Sequence, residues 1–453
     1  MVQAFWHITA FRPAAPGAGG RSIRRLLLPL LLAGAVLGPP ARAAGPDAVT
    51  SDAGMDATGS IGRPAEAPRP PVLARDARIA GDEGRTRLVL DLDRPVEIRT
   101  FTLADPYRVV VDLDDVVFAM APAPEQLQRG IVTACRYGVL APGKARMVLD
   151  AGGPVAIEKA FILDAADDQP ARLVVDLVPT DAATFARTLA SAARTPAAAP
   201  APVAAPAAGD TRPVIVIDPG HGGIDSGTTG YSAYAEKNIV LETGRALRDK
   251  LEKTGTYRVV MTRDADVFIP LGERVRIARA HQASLFISLH ADALARNDGK
   301  ARGASVYTLS ETASDADAAR LAEQENKADL IAGVNLSDES DAVAGILVDL
   351  AQRETRSFSA HFARELVHSL KGVARTHRGA LKSAGFRVLR AHDVPSVLVE
   401  LGYMSSKEDL KLLTSDAWRD QVSDAMAAAI GDFFAATRAA GQTARAEPGK
   451  AAD

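Results

Sequence analysis

Two histidines and a glutamate, far apart in the chain, each sit where an apolar run ends or a helical stretch begins. His221 lies on the loop after Val214-Ile-Val-Ile-Asp-Pro-Gly, His290 closes Ser284-Leu-Phe-Ile-Ser-Leu-His, and Glu236 opens a helical stretch after the first loop. Two imidazoles and one carboxylate leave a tetrahedral zinc with an open position, the ligand pattern of a catalytic site. Zinc so held lowers the pKa of its water towards about 7 and polarises a carbonyl oxygen. Glu400, at the end of Ser396-Val-Leu-Val-Glu, is the candidate general base for that water. A carboxylate that ends a buried strand is costly unless paired, which weighs against a purely structural role. Asp225 is either an orienting partner for a ligand imidazole or an ordinary turn residue. By themselves these residues point to zinc-dependent hydrolysis of an amide.

Such ligands meet only if a sheet delivers them. From 214 onward, apolar runs at 214–217, 258–262, 284–289, 304–309, 386–389 and 396–400 read as strands. Helical patterns cover 236–253, 271–281, 358–373 and 415–437. Alternation of this kind predicts an α/β domain over 214–438, a mixed sheet with helices on its faces, whose chemistry lies at the strands' C-terminal edge. The Gly-rich run 220–227 lacks the Gly-Lys-Ser/Thr ending of a phosphate loop, and no Gly-x-Ser-x-Gly elbow is present.

One segment exceeds what a strand connection needs. Residues 311–357 carry eleven acids against four bases and include Ala318–Leu330, a stretch of helical composition without Gly or Pro. A second helix is expected from Asp341 to Arg353. The segment is either a solvated excursion or a regulatory insert.

Residues 72–178 read as a small all-β domain with an internal duplication. Arg87-Leu-Val-Leu-Asp91 recurs as Arg146-Met-Val-Leu-Asp150, and Arg108-Val-Val-Val-Asp112 as Arg172-Leu-Val-Val-Asp176. Neither half could bury its face alone, so two similar sheets packed together are expected.

The chain has 453 residues, which implies more than one domain. Its net charge of −3 offers no basic footprint for nucleic acid. Residues 1–43 read as a signal peptide, with Arg21, Arg24 and Arg25 before an apolar stretch of 12 residues, Leu26 to Leu37, and an Ala41-Arg-Ala43 cleavage site. That stretch is too short to span a bilayer, so no stable membrane span is expected once it is removed. Arg24-Arg25 permits the twin-arginine route beside the general secretory one. Residues 44–71 read as a flexible lead, 179–213 as an Ala/Pro-rich linker and 439–453 as a disordered polar tail. The single cysteine, Cys135, cannot form an internal disulfide and is expected to be a small buried hydrophobe.

Four motifs in order, Asp218-Pro-Gly-His-Gly-Gly-Ile-Asp225, Glu236-Lys-Asn238, Ser288-Leu-His-Ala-Asp292 and Pro395-Ser-Val-Leu-Val-Glu-Leu-Gly-Tyr-Met-Ser405, make residues 213–437 resemble the zinc-dependent N-acetylmuramoyl-L-alanine amidases of cell division. The duplicated β-region is similar to their N-terminal AMIN domain. The resemblance implies a periplasmic enzyme with one zinc held by His221, Glu236 and His290, with Glu400 as base. It also implies that 72–178 binds peptidoglycan and that the bond cut joins N-acetylmuramic acid to L-alanine when septal wall is split. In that family an insert at 311–357 occludes the zinc until an activator protein of the division machinery displaces it. Glu325 is then the candidate occluding carboxylate, with Glu323 second. Two other readings stand beside this one, a non-catalytic wall-binding scaffold and a zinc peptidase acting within the stem peptide.

Overall fold

The computed structural model describes residues 70–120, 127–166, 168–192, 210–228, 234–293, 302–334 and 347–446. The signal peptide, most of the expected lead, the Ala/Pro stretch 193–209 and residues 447–453 lie outside these.

The N-terminal part is all β: β1 Val72–Gly81, β2 Thr86–Leu92, β3 Ile98–Leu103, β4 Arg108–Asp114, β5 Val116–Phe118, β6 Val132–Ala141, β7 Lys144–Ala151, β8 Val155–Leu163 and β9 Ala171–Pro179. Two sheets form, ordered β5-β1-β2-β9-β8 and β3-β4-β7-β6. The sequence halves do not each make one sheet. Each sheet joins a hairpin of the first half to a hairpin of the second, because β2 pairs with β9 and β4 with β7. Alternation decides the faces: Leu88, Leu90, Val109, Val111, Met147, Leu149, Leu173 and Val175 fill the core between the sheets. Cys135 is buried in that core, and desolvation pushes its thiol up to about 12, so it is packing material.

Part of the expected linker is ordered. Helix α1, Ala182–Ala192, packs back on the β-domain, with Phe185 buried and edge-on to Tyr107 at 5.0 Å. The linker proper therefore starts after this helix rather than at 179.

The second part follows as β10 Val214–Pro219, α2 Glu236–Lys253, β11 Arg258–Met261, α3 Leu271–Ala280, β12 Leu285–His290, β13 Ala304–Leu309, α4 Ala316–Glu325, α5 Ala328–Ile331, α6 Leu347–Leu370, β14 Thr376–Ala384, β15 Ser396–Glu400, α7 Lys407–Leu413 and α8 Asp416–Ala446. Its sheet runs β11-β10-β12-β15-β13-β14. Strands β11, β10, β12 and β15 are parallel, while β13 enters antiparallel to β15, which makes the sheet mixed. Val214-Ile-Val-Ile217 is apolar throughout because helices cover both faces. Ile215 and Ile217 pack on α2, α6 and α8, and Val214 and Val216 on the side of α3 and α4.

Three expectations change. Residues 386–389 are not a strand: Phe386, Val388 and Leu389 bury themselves from a 3-10 turn at Arg387–Leu389, and the edge strand is Thr376–Ala384. An edge strand needs little apolar content, which is why Thr-His-Arg-Gly-Ala-Leu-Lys-Ser-Ala gave no strand signal. Residues 347–357 of the expected insert belong to the long α6, whereas 341–346 lie outside the described residues. Helix α8 continues to Ala446, so 439–446 extend it rather than begin a disordered tail. Among the described residues no helix is long and apolar enough to cross a membrane.

The β-domain and the α/β domain touch. The Ile224 amide donates to the Val139 carbonyl of β6 at 3.1 Å. Gly223, at φ +57°, lies so close that a Cβ there would sit 1.8 Å from the Val139 oxygen. Ile224, Phe268 and Ala332 form a small apolar cluster with Leu103, Val110 and Val148 of the β-domain.

Candidate metal centre

Strands β10, β12 and β15 run parallel, so their C-terminal ends share one edge. In the register, Pro219 sits opposite Leu289 and His290 opposite Glu400. That pairing puts a histidine and a glutamate on adjacent strands at the same level. His221 follows from the loop after β10, in the left-handed region at φ +58°.

A non-glycine residue there must be held in place, and two buried arginines do this. Arg274 donates to the His221 carbonyl at 2.8 Å, to the Pro219 carbonyl at 2.9 Å and to Asp218 at 2.8 Å. Arg263 donates to the Pro219 and Gly220 carbonyls at 2.9 and 2.7 Å. Asp218 also accepts from the Thr262 and Ser288 hydroxyls. Burial opposes its ionisation, but Arg274 and the hydroxyls hold it below the usual carboxylate range.

Asp225 Oδ2 lies 3.0 Å from His221 Nδ1. A proton on Nδ1 satisfies that bond and leaves the Nε2 lone pair facing the crevice. Glu236 is the first residue of α2, where the helix dipole favours a carboxylate. Its oxygens accept from the Ala291 and Thr228 amides at 2.8 and 2.9 Å. One of them lies 3.1 Å from His221 Nε2 and 3.3 Å from His290 Nδ1. Ligand atoms of His221, Glu236 and His290 all fall within 4.8 Å of one another, and all three residues are buried.

Two observations fit this trio to a divalent metal. Nε2 of His221 and Nδ1 of His290 are buried and make no well-formed hydrogen bond, although Glu236 and Glu325 oxygens lie 3.1–3.6 Å away, the convergence of donor atoms that a shared cation would satisfy. Glu236, Asp225, Asp292, Glu325 and Glu400 are also all buried around the two imidazoles. Burial, reinforced by Glu236 and Asp292, pushes Glu400 well above its usual value, and burial with Glu236 and Glu325 raises Asp292 to about 7. A dication would supply the charge this cluster lacks. Glu236 behaves oppositely, because the imidazoles outweigh its burial and hold it well below its usual value.

Glu400 is fully buried, with Oε2 accepting from the Asp292 amide at 3.0 Å and Oε1 without a partner. Asp292 accepts from the Thr228 hydroxyl at 2.5 Å and from Gln324 at 2.7 Å.

Helix α4 lies across this edge. Asp315 caps it by accepting from the Ala318 amide at 2.9 Å. Ala318, Leu321, Ala322 and Glu325 are its buried residues, spaced as one helical face. Glu325 therefore points inward, 3.1 Å from His290 Nδ1 and 3.6 Å from His221 Nε2. Burial lifts its carboxyl above the usual value against the pull of both imidazoles. Glu323 sits on the opposite face, exposed and paired with Lys327 at 2.8 Å.

The structure brings His221, Glu236, His290, Glu400 and Glu325 together. Sequence reasoning assigned no role to Asp218, Asp292, Arg263 or Arg274. The two aspartates lie inside the motifs already quoted, whereas nothing local marks the arginines. Replacing Asp225 with alanine is expected to lower divalent-metal affinity by about 10–100-fold, read by chelator competition. Unchanged affinity would leave Asp225 as a turn residue only.

The description "N-acetylmuramoyl-L-alanine amidase" belongs to the family model that matches residues 215–432, and an AMIN domain model matches 76–177. The chain is similar to N-acetylmuramoyl-L-alanine amidase AmiC of Escherichia coli O6:H1, at 34% identity over 77% of this chain and 87% of that one. It is 35% identical to AmiC of Neisseria meningitidis serogroup B over 79% of this chain and 89% of that one. Among solved structures, amidase AmiC2 of Nostoc punctiforme matches at 28% identity and a TM-score of 0.36, covering 50% of this chain and 99% of that one.

Proposed function

The chain belongs to the N-acetylmuramoyl-L-alanine amidases, and from that premise we propose that it is a zinc-dependent, exported enzyme that frees stem peptides from septal peptidoglycan. The observation that carries this reading is the convergence of two buried imidazole nitrogens and a Glu236 oxygen within 4.8 Å of one another. His221, Glu236 and His290 would hold the zinc. A bound zinc ion supplies Lewis acidity towards the scissile carbonyl and the attacking water.

The chain's own groups do the rest. Glu400 takes the proton of the attacking water at Oε1, the oxygen without a partner, while the Asp292 amide fixes Oε2. Desolvation makes this carboxylate a stronger base than it is in water. Once protonated, it delivers the proton to the leaving nitrogen of L-alanine. Asp225 keeps His221 in the tautomer that presents Nε2.

Residues 72–178 target the enzyme to peptidoglycan in the periplasm. Helix α4, with Glu325, covers the site until an activator displaces it. Tethering by the linker raises the enzyme's effective concentration on the wall.

The test combines metal content with products. Residues 44–453 are expected to purify with zinc and to release intact stem peptides, leaving unsubstituted glycan. Cuts within the stem would identify a peptidase instead. Absence of both zinc and products from every form, with cell separation rescued by Glu400→Ala, would favour a wall-binding scaffold.

A further inference from the structure

The outer face of the β3-β4-β7-β6 sheet carries three arginines, all aimed at one short stretch. Arg108 donates to the Leu330 carbonyl at 2.6 Å. Arg136 donates to the Ile331 carbonyl at 3.3 Å. Arg146 donates to the Ala332 and Gly333 carbonyls at 3.1 and 3.0 Å. The first two of these carbonyls end α5 and the other two follow it directly, just after the occluding helix α4. They include acceptors that a helix C-terminus cannot satisfy internally.

The guanidiniums are preset for the task. Asp112 holds Arg146 through two bonds of 2.6 and 2.9 Å, and Asp150 holds Arg136 through two of 2.7 Å, which leaves other N–H groups to point outward. Gly333, at φ +66°, brings the chain onto the sheet, where a Cβ would lie 3.1 Å from Val110 and 3.2 Å from Val148. Ala332 is fully buried against the same two valines.

The internal duplication supplies a comparison within the molecule. On the other sheet, Arg87 is bound to Asp176 and Arg78 to Asp91, as Arg146 is to Asp112 and Arg136 to Asp150. Arg172 occupies the place of Arg108 in the repeated motif. There the side chains of Arg87 and Arg78 are 50% and 48% exposed, against 10% and 28% for Arg146 and Arg136. Among the described residues, the Arg146 and Arg136 pair is covered, whereas the Arg87 and Arg78 pair stays about half exposed.

We propose that the covered face is a latch: the β-domain, through Arg108, Arg136 and Arg146, holds residues 330–333 and thereby keeps the occluding helix over the metal centre. The wall-targeting domain is thus also part of the gate. Glu325 sits only a few residues before the latched carbonyls, so loosening them frees the helix that carries it. The gating consequence rests on the enzymatic reading above, whereas the latch itself does not.

The test uses the full mature chain and hydrogen exchange of residues 316–334. Arg108→Ala combined with Arg146→Ala is expected to speed exchange there by at least about tenfold. The matched pair Arg87→Ala and Arg172→Ala, on the open sheet, should leave that exchange unchanged. Arg146→Lys keeps the charge but loses the planar fork, and should give an intermediate increase even if the double variant fails to fold. Unchanged exchange in Arg146→Lys and the latch pair, or an equal rise in the matched pair, overturns the proposal. Hydrolysis of a soluble muramoyl-peptide, which needs no wall binding, should rise in step with exchange. Faster exchange without hydrolysis in any variant would keep the latch and reject the enzymatic reading. Faster exchange in a chain whose hydrolysis stays at the parent rate would reject the link to gating.

Discussion

Replacing Glu400 with glutamine is expected to reduce turnover by about 10²–10⁴-fold, about 3–5 kcal/mol of transition-state stabilisation, with zinc content unchanged. The reason is positional. Glu400 ends β15 directly opposite His290, and the Asp292 amide takes one of its oxygens. The second oxygen is buried and unpartnered beside the proposed metal ligands, free to take a reacting proton. Glutamine keeps the shape and can still accept from the amide, but it cannot carry the proton from water to the leaving nitrogen. Steady-state hydrolysis of a soluble muramoyl-peptide and metal analysis of the same preparation check both halves. Loss of zinc would recast Glu400 as a support for the ligands. Full turnover with zinc bound would remove it from the mechanism.

Excising the cover should have the opposite sign. Removing residues 312–346 and joining the ends with a short flexible linker is expected to raise basal turnover at least about tenfold, since each ~1.4 kcal/mol of preference for a covered state hides a factor of ten. The excision stops before Leu347, where α6 begins, and so spares a helix that packs on the sheet through Phe362, Ala363 and Leu366. Glu325→Ala alone should give a smaller rise. It removes the carboxylate from His290 and His221, but Leu321 and Ala322 still hold α4 against the domain. The two variants thus separate blocking by the carboxylate from blocking by the helix. A folded excision variant with turnover at or below that of the parent would count against self-occlusion.

The inward position of Glu325 is legible in the sequence. Its place is written in the spacing Ala318, Leu321, Ala322, Glu325, one face of a helix whose last member is a carboxylate. Glu323, two residues earlier, falls on the solvent face by the same rule. The β-domain was less legible. Its duplicated strands were visible, yet strand exchange between the halves was not, because alternation assigns a face and not a neighbour. β14 is not legible because an edge strand carries few apolar residues, and 386–389 reads as a strand because a buried 3-10 turn is as apolar as one.

By itself the sequence determined the parts: an α/β domain with apolar strands ending in His290 and Glu400 and a loop carrying His221, a duplicated β-domain before it, and an insert of helical composition. These are local properties, set by periodicity and by residues that chemistry requires at strand ends. Only the tertiary structure decided what the parts do to one another. The opposition of His290 and Glu400 depends on which strands became neighbours. The strained His221 loop depends on Arg263 and Arg274, which come from distant elements and carry no motif. The contact of Arg108, Arg136 and Arg146 with residues 330–333 joins two domains across about half the chain, by side-chain bonds to carbonyls that any residue provides. Backbone acceptors leave no mark in a sequence, so a latch built on them becomes visible only when the chain is folded.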